Sequence, residues 1–132
     1  MIGLDTNILL RYIAQDDEVQ SAQASAILEE HLTPEKPGFI SSTVLVEMCW
    51  TLRRLYKVDR SELMRVLERL LKSAELSFEH REEAWKALQL MRTQHADFAD
   101  ALAGLVHQKF GCSKTLTFDK EAAKMDFFEE VA

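Results

Sequence analysis

Four carboxylates in this sequence stand where apolar segments begin or end, and a fifth interrupts one. Asp5 closes "MIGLD", Asp97 and Asp100 stand three apart in "HADFADALAG", Asp119 ends "TLTFD", and Glu47 interrupts "SSTVLVEMCW". Carboxylates gathered within about 6 Å repel, and one or more takes up a proton unless a cation neutralises them. All-oxygen ligation without paired His or Cys suits Mg²⁺ or Mn²⁺. One or two such ions activate a water and neutralise charge developing on phosphate oxygens, so the chemistry indicated is phosphodiester or phosphoryl transfer. Each acid also has a plainer role. Asp97 suits a helix cap and Asp100 a charge at the positive helix end. Asp5 suits an Asx-turn with Asn7, Asp119 a cap for "KEAAK", and Glu47 a solvated helix face. The plain roles do not predict convergence of separate strand and helix ends on one place.

The elements that must position these acids follow from periodicity. Ile2 to Asp5 reads as a short buried strand, and Thr6-Asn7 turn the chain into a helix with Ile8, Leu9, Tyr12 and Ile13. A helix over 17–31 is expected to carry Val19, Ala22 and Ala26 on one side, and to end before "TPEKPG", which holds both prolines. "GFIS" reads as a second strand. Ser42 then caps a helix whose stripe is Val44, Leu45, Met48, Cys49, Leu52, Leu55 and Tyr56, with Glu47 on the side of Thr43, Trp50 and Arg54. Asp59 and Glu62 form a capping box ahead of Leu63, Val66, Leu67, Leu70 and Leu71. Ala74, Leu76 and Phe78 alternate as a strand, 80–93 and 97–110 read as helices, and Gly111 stops the second. Gly104 is expected to leave the Asp100 side of its helix open. "TLTFD" gives a fourth strand and "DFFEEV" an edge strand. This order argues for an α/β fold: a three-layer α/β/α sandwich around a central, mainly parallel sheet of four to five strands with right-handed crossovers. Ligands of such sheets bind beyond the carboxyl ends of the strands, where the acids are expected to meet.

The 132 residues fit one domain over 1–132. No apolar run approaches a membrane span, and Asp5 comes too early for a cleaved signal, so a cytoplasmic protein without membrane association is expected. Cys49 and Cys112 are read as reduced thiols. The net charge of −6 is unlike the basic footprint of nucleic-acid binders. Setting aside the five acids as a metal site leaves the remainder nearly neutral, and Arg11, Arg53 and Arg54 are candidates for a locally positive mouth that contacts nucleic acid.

"GLDTN", a Glu in the helix after the second strand, "DFADALAG" and "TFD", in this order over nearly the whole chain, resemble the PIN-domain ribonucleases, in particular small toxins of the VapC type. The resemblance implies a single PIN-like domain acting as a Mg²⁺- or Mn²⁺-dependent endoribonuclease, a homodimer held inactive by a cognate antitoxin. It implies Asp5, Glu47, Asp100 and Asp119 as the catalytic acids. Asp5, Asp100, Asp119 and Asp97 would serve the metal, and Thr6, Asn7 and Thr117 would support the site by hydrogen bonds. Hydrolysis would leave 3′-hydroxyl and 5′-phosphate ends. Trp50 and Val46 are candidates for a dimer or antitoxin contact. Two other classes compete: a phosphatase or phosphoryl-receiving domain built on a strand-end Asp, and a non-catalytic RNA-binding module. A dehalogenase-like phosphatase wants a second Asp where Asn7 stands, and a receiver wants a Lys after the late strand, whereas Lys114 precedes it.

Overall fold

The computed structural model describes all 132 residues, Met1–Ala132, which fall into two compact units, Met1–Arg81 and Glu82–Ala132. In the first, β1 (Ile2–Gly3) leads into α1 (Thr6–Ala14) and α2 (Glu18–Ala26), which runs on into a π-helical turn at Ile27–His31. β2 (Gly38–Ile40) is followed by α3 (Ser42–Arg54), α4 (Arg60–Lys72) and β3 (Leu76–Phe78). The three strands form one parallel sheet in the order β1-β2-β3, with Ile2 opposite Gly38 and Gly38 opposite Leu76. Gly38 lets two leucines pack closely on the strand: a Cβ would lie 2.7 Å from Leu4 Cδ1 and 2.8 Å from Leu32 Cδ1, so both side chains would have to shift.

α4 forms as its sequence dictates. Asp59 accepts the Glu62 amide at 2.8 Å, and Leu63, Val66, Leu67, Leu70 and Leu71 are all buried. Burial on that scale stabilises by roughly 1.5–3 kcal/mol per large side chain. Arg81 ties the end of α4 to the start of β3, donating to Leu71 O, to Ser73 O at 3.4 Å and to Leu76 O at 2.6 Å.

Four local expectations are corrected in this unit. In place of a buried strand over 2–5, β1 spans only Ile2–Gly3 and both are exposed, Ile2 at 61%; Leu4 alone of that stretch is buried. In α2, the side with Val19, Ala22 and Ala26 is not the buried one: Val19 is 67% exposed, and Ser21, Ala24 and Leu28 are buried instead. The cap of α3 is Ser41, whose Oγ accepts the Val44 amide at 3.2 Å, so Ser42 is already the first helical residue. Leu55, expected on the buried stripe of α3, is 68% exposed because the helix ends at Arg54.

The second unit holds α6 (Phe98–Lys109), β4 (Thr115–Thr117) and β5 (Phe128–Glu130), preceded by α5, which begins at Arg81 and ends at Gln94. β4 and β5 pair in parallel, Thr115 opposite Phe128. The strand order along the chain is the expected one and every pairing is parallel, with the hydrogen bonds dividing the strands into sheets of three and two. Gly111 stops α6 at φ 97°, a conformation that suits glycine. The expectation for Gly104 is corrected: it is buried, and a Cβ on it would lie 2.5–2.6 Å from ring atoms of Phe127 and Phe128. The missing side chain admits two aromatic rings rather than opening the helix face.

Candidate active site

In the first unit, Asp5 follows β1 after one residue, Leu4, and caps α1, its Oδ1 accepting the Thr6 amide at 2.8 Å. That bond turns the chain at the carboxyl end of the strand, where a parallel sheet presents its ligands. Thr6 is buried, and its hydroxyl donates to Glu47 Oε1 in a short hydrogen bond. Asp5 and Glu47, which reach the same place from two elements, are thus linked through one threonine. Glu47 itself is exposed on α3, as its position off the buried stripe predicts. The amino end of α3 is further fixed by Glu79, whose Oε1 accepts the Ser42 amide at 2.9 Å. Nothing local in the sequence signals that bond, which joins residues far apart in the chain.

Asn7 lines a groove of about 530 Å³ with Ile8, Arg11, Gln20 and Gln23. Of the arginines expected at the mouth, Arg11 is held within its own unit by Gln20 Oε1 at 2.7 Å, Tyr56 OH at 3.2 Å and Asp16 at 3.4 Å. Arg53 donates to Val58 O at 3.0 Å. Arg54 lies over the Trp50 ring. A larger groove, about 720 Å³, is lined by Tyr12, Ile13, Leu28, Val66 and Leu76 among others, at the amino end of β3; none of the five acids lines it.

In the second unit three aspartates gather. Asp97 caps α6, Oδ2 accepting the Asp100 amide at 3.0 Å. The connection from α5 is only His95–Asp97, with His95 at φ 55°, so the cap is set by a tight turn. Asp119 follows β4, where the Thr117 hydroxyl accepts its amide at 3.0 Å, and its Oδ1 accepts the Glu121 and Ala122 amides at 2.8 and 3.4 Å. Thr117 therefore shapes the strand end that carries the acid. The half-buried Asp100 has its carboxyl raised above the usual range, first by burial and then by the negative charges of Asp97 and Asp119. No hydrogen bond ends on its carboxylate. Asp97 Oδ1 and Asp119 Oδ2 are likewise left over by the capping bonds.

The donor set is hard and all-oxygen, and its mutual repulsion is what a divalent cation relieves, so in chemistry these residues fit Mg²⁺ or Mn²⁺. As the side chains stand, no group of three or more His, Cys, Asp or Glu is assembled as a metal site. The plain roles are real as well: Asp5, Asp97 and Asp119 each cap a turn or helix, and each cap uses one oxygen. What the sequence reading did not find is the stacking of Arg54 on Trp50, although their i, i+4 spacing permits it.

No helix is long and apolar enough to cross a membrane. Among curated proteins, a VapC ribonuclease of Aquifex aeolicus (strain VF5) is 23% identical over 124 residues, covering 94% of this chain and 91% of that protein. No solved structure gives a significant match. The PIN domain family matches residues 2–128, across both compact units and all five acids, and the chain belongs to that family.

Proposed function

We propose that the protein is a Mg²⁺- or Mn²⁺-dependent endoribonuclease, the toxin of a toxin–antitoxin pair, built as a single PIN-like domain over residues 1–132. The observation that supports it most is the trio of Asp97, Asp100 and Asp119, in which the Asp100 carboxyl is raised first by burial and then by the charges of the other two, while no hydrogen bond stabilises its ionised form. A group kept at a cost in this way is a frequent mark of a functional site. The likeness to a VapC ribonuclease along most of both chains supports the choice of RNA as substrate and of a protein antitoxin as partner.

In this reading Asp5, Asp97, Asp100 and Asp119 serve the metal, and Asp5, Glu47, Asp100 and Asp119 are the catalytic acids. When bound, the cation supplies an activated water and charge neutralisation at the phosphate. Thr6 holds Glu47 by Oε1, leaving Oε2 to accept a proton from the attacking water. Thr117 and the Glu121 and Ala122 amides fix Asp119. Asn7 supports the turn that carries Asp5. The 3′ oxygen leaves, giving 3′-hydroxyl and 5′-phosphate ends. The protein acts as a homodimer in the cytoplasm.

The test is cleavage of total cellular RNA by the wild type and Asp100→Asn, each with Mg²⁺, Mn²⁺ or EDTA, with sequencing of the new 5′ ends. Metal-dependent cuts bearing 5′-phosphate, reduced roughly 10²–10⁴-fold in the variant, are expected. A folded, antitoxin-free protein that makes no cuts refutes the reading. Labelling of Asp5 by beryllofluoride would then favour a phosphoryl-receiving domain, and RNA binding in EDTA that survives amide substitution of the acids would favour a non-catalytic binder.

A further inference from the structure

On α3, Trp50 is 55% exposed, while Leu45, Met48, Cys49 and Leu52 bury the opposite side of the helix. Arg54, one turn on, sets its guanidinium 5.6 Å from the centre of the indole. At 100° per residue, Thr43, Val46, Glu47, Arg53 and Arg54 lie within about 60° of Trp50 around the helix, and Glu47 is one turn, about 4.5 Å, nearer the amino end. Val46, half-buried, is the one apolar side chain among these neighbours, so the indole stands among mainly polar and cationic groups rather than in a large apolar patch of the kind another protein covers. A large flat π-surface, a cation against it and an acid of the candidate active site one turn away are the components of a single-stranded nucleic-acid contact: stacking for a base and charge for its phosphate.

We propose that Trp50 and Arg54 form a platform on which one unpaired base of the RNA stacks, with Arg54 pairing with the adjoining phosphate. The proposal rests on the ribonuclease reading and adds to it the strand state of the RNA at this point and the residue that recognises it. Stacking accepts any base, because every base has a π-face, but it requires that face to be free. The platform thus selects unpaired RNA over duplex without selecting sequence. Arg53, bonded to Val58 O, and Arg11, held by Gln20, Asp16 and Tyr56, are engaged elsewhere, so Arg54 is the arginine of the three that lies against an aromatic ring.

The chain has two tryptophans, so Trp85→Phe leaves Trp50 as its only indole. In that background, with Asp100→Asn added to prevent cleavage and Mg²⁺ present, a short uridine oligonucleotide should quench the Trp50 emission and a blunt RNA duplex should not. Fluorescence anisotropy of a labelled oligonucleotide should show Trp50→Ala binding roughly 5- to 150-fold more weakly and Trp50→Phe recovering most of the loss. On the otherwise wild-type chain, Trp50→Ala should raise KM more than it lowers kcat. If the parent binds and the wild type cleaves while Trp50→Ala does both equally well, the platform is refuted. It is equally refuted if Trp50→Ala dissociates a dimer and leaves the affinity for RNA unchanged, because the indole then belongs to a protein interface. A wild type that neither binds nor cleaves RNA refutes the ribonuclease reading itself, and the platform with it.

Discussion

Asp100 is the residue whose surroundings work against its charge. Its carboxyl is raised by burial, then by Asp97 and Asp119. The folded chain therefore holds that proton more tightly than the unfolded one. Below the ordinary carboxylate range both forms are protonated and no penalty exists. As pH rises through that range the unfolded chain ionises first, so stability falls until the raised folded value is passed. Above it the penalty is constant. Asp100→Asn removes the penalty, and because the Asp97 cap uses the Asp100 backbone amide, it leaves the cap intact. In EDTA at neutral pH the variant should unfold a few degrees higher than wild type, reflecting about 1 kcal/mol or less once solvent screening is allowed for. The gain should vanish below about pH 3.5. Thermal unfolding followed by circular dichroism across pH checks this, and a lower melting temperature in the variant would mean that Asp100 is a stabilising charge at the start of its helix.

At the scale of elements, α6 presents two separable demands, a cap and a cleft for rings. Asp97→Asn keeps an acceptor for the Asp100 amide, whereas Asp97→Ala does not, so urea unfolding should find the alanine variant less stable than the asparagine variant by about 1 kcal/mol. Both should lose cleavage if Asp97 serves the metal. Gly104→Ala sets a gain in helix propensity of about 1 kcal/mol against rings of Phe127 and Phe128 at 2.5–2.6 Å from the new Cβ. Overpacking of about 1–3 kcal/mol should outweigh it, giving a net loss in the same assay. The same elements show what the sequence carried. α4 was legible because its cap and all five apolar positions agree with one period. α2 was not: alanines and serines mark no clear face, and its passage into a π turn at Ile27–His31 disturbs the 3.6-residue phase. The acids at strand and helix ends were legible from their places in the pattern. The bond from Thr6 to Glu47 and the rings over Gly104 were not, because both depend on partners far along the chain that no local period encodes.

For the whole molecule, a net charge of −6 sets an acidic protein against a polyanion. Its field extends only about 8 Å at physiological ionic strength, so under the proposed ribonuclease reading RNA would meet the local arrangement of acids, arginines and any cation they hold rather than the total charge. Cations are thus expected to stabilise the fold as well as to enable cleavage, because ions that bind only the native chain shift unfolding by mass action. At ten times its dissociation constant Mg²⁺ should contribute about 1.4 kcal/mol, or roughly 4–7 °C in melting temperature for a chain of this size. Asp100→Asn should lose most of that rise, since it replaces a charged ligand with a neutral one. The two effects of Asp100 then oppose each other: in EDTA the variant should melt above the wild type, and in Mg²⁺ below it. A paired scan of both proteins in both buffers reads this inversion directly. If Mg²⁺ raises neither melting temperature, or raises both equally, the repulsion at Asp100 is not relieved by a cation and the metal assignment fails, whatever the RNA assay returns.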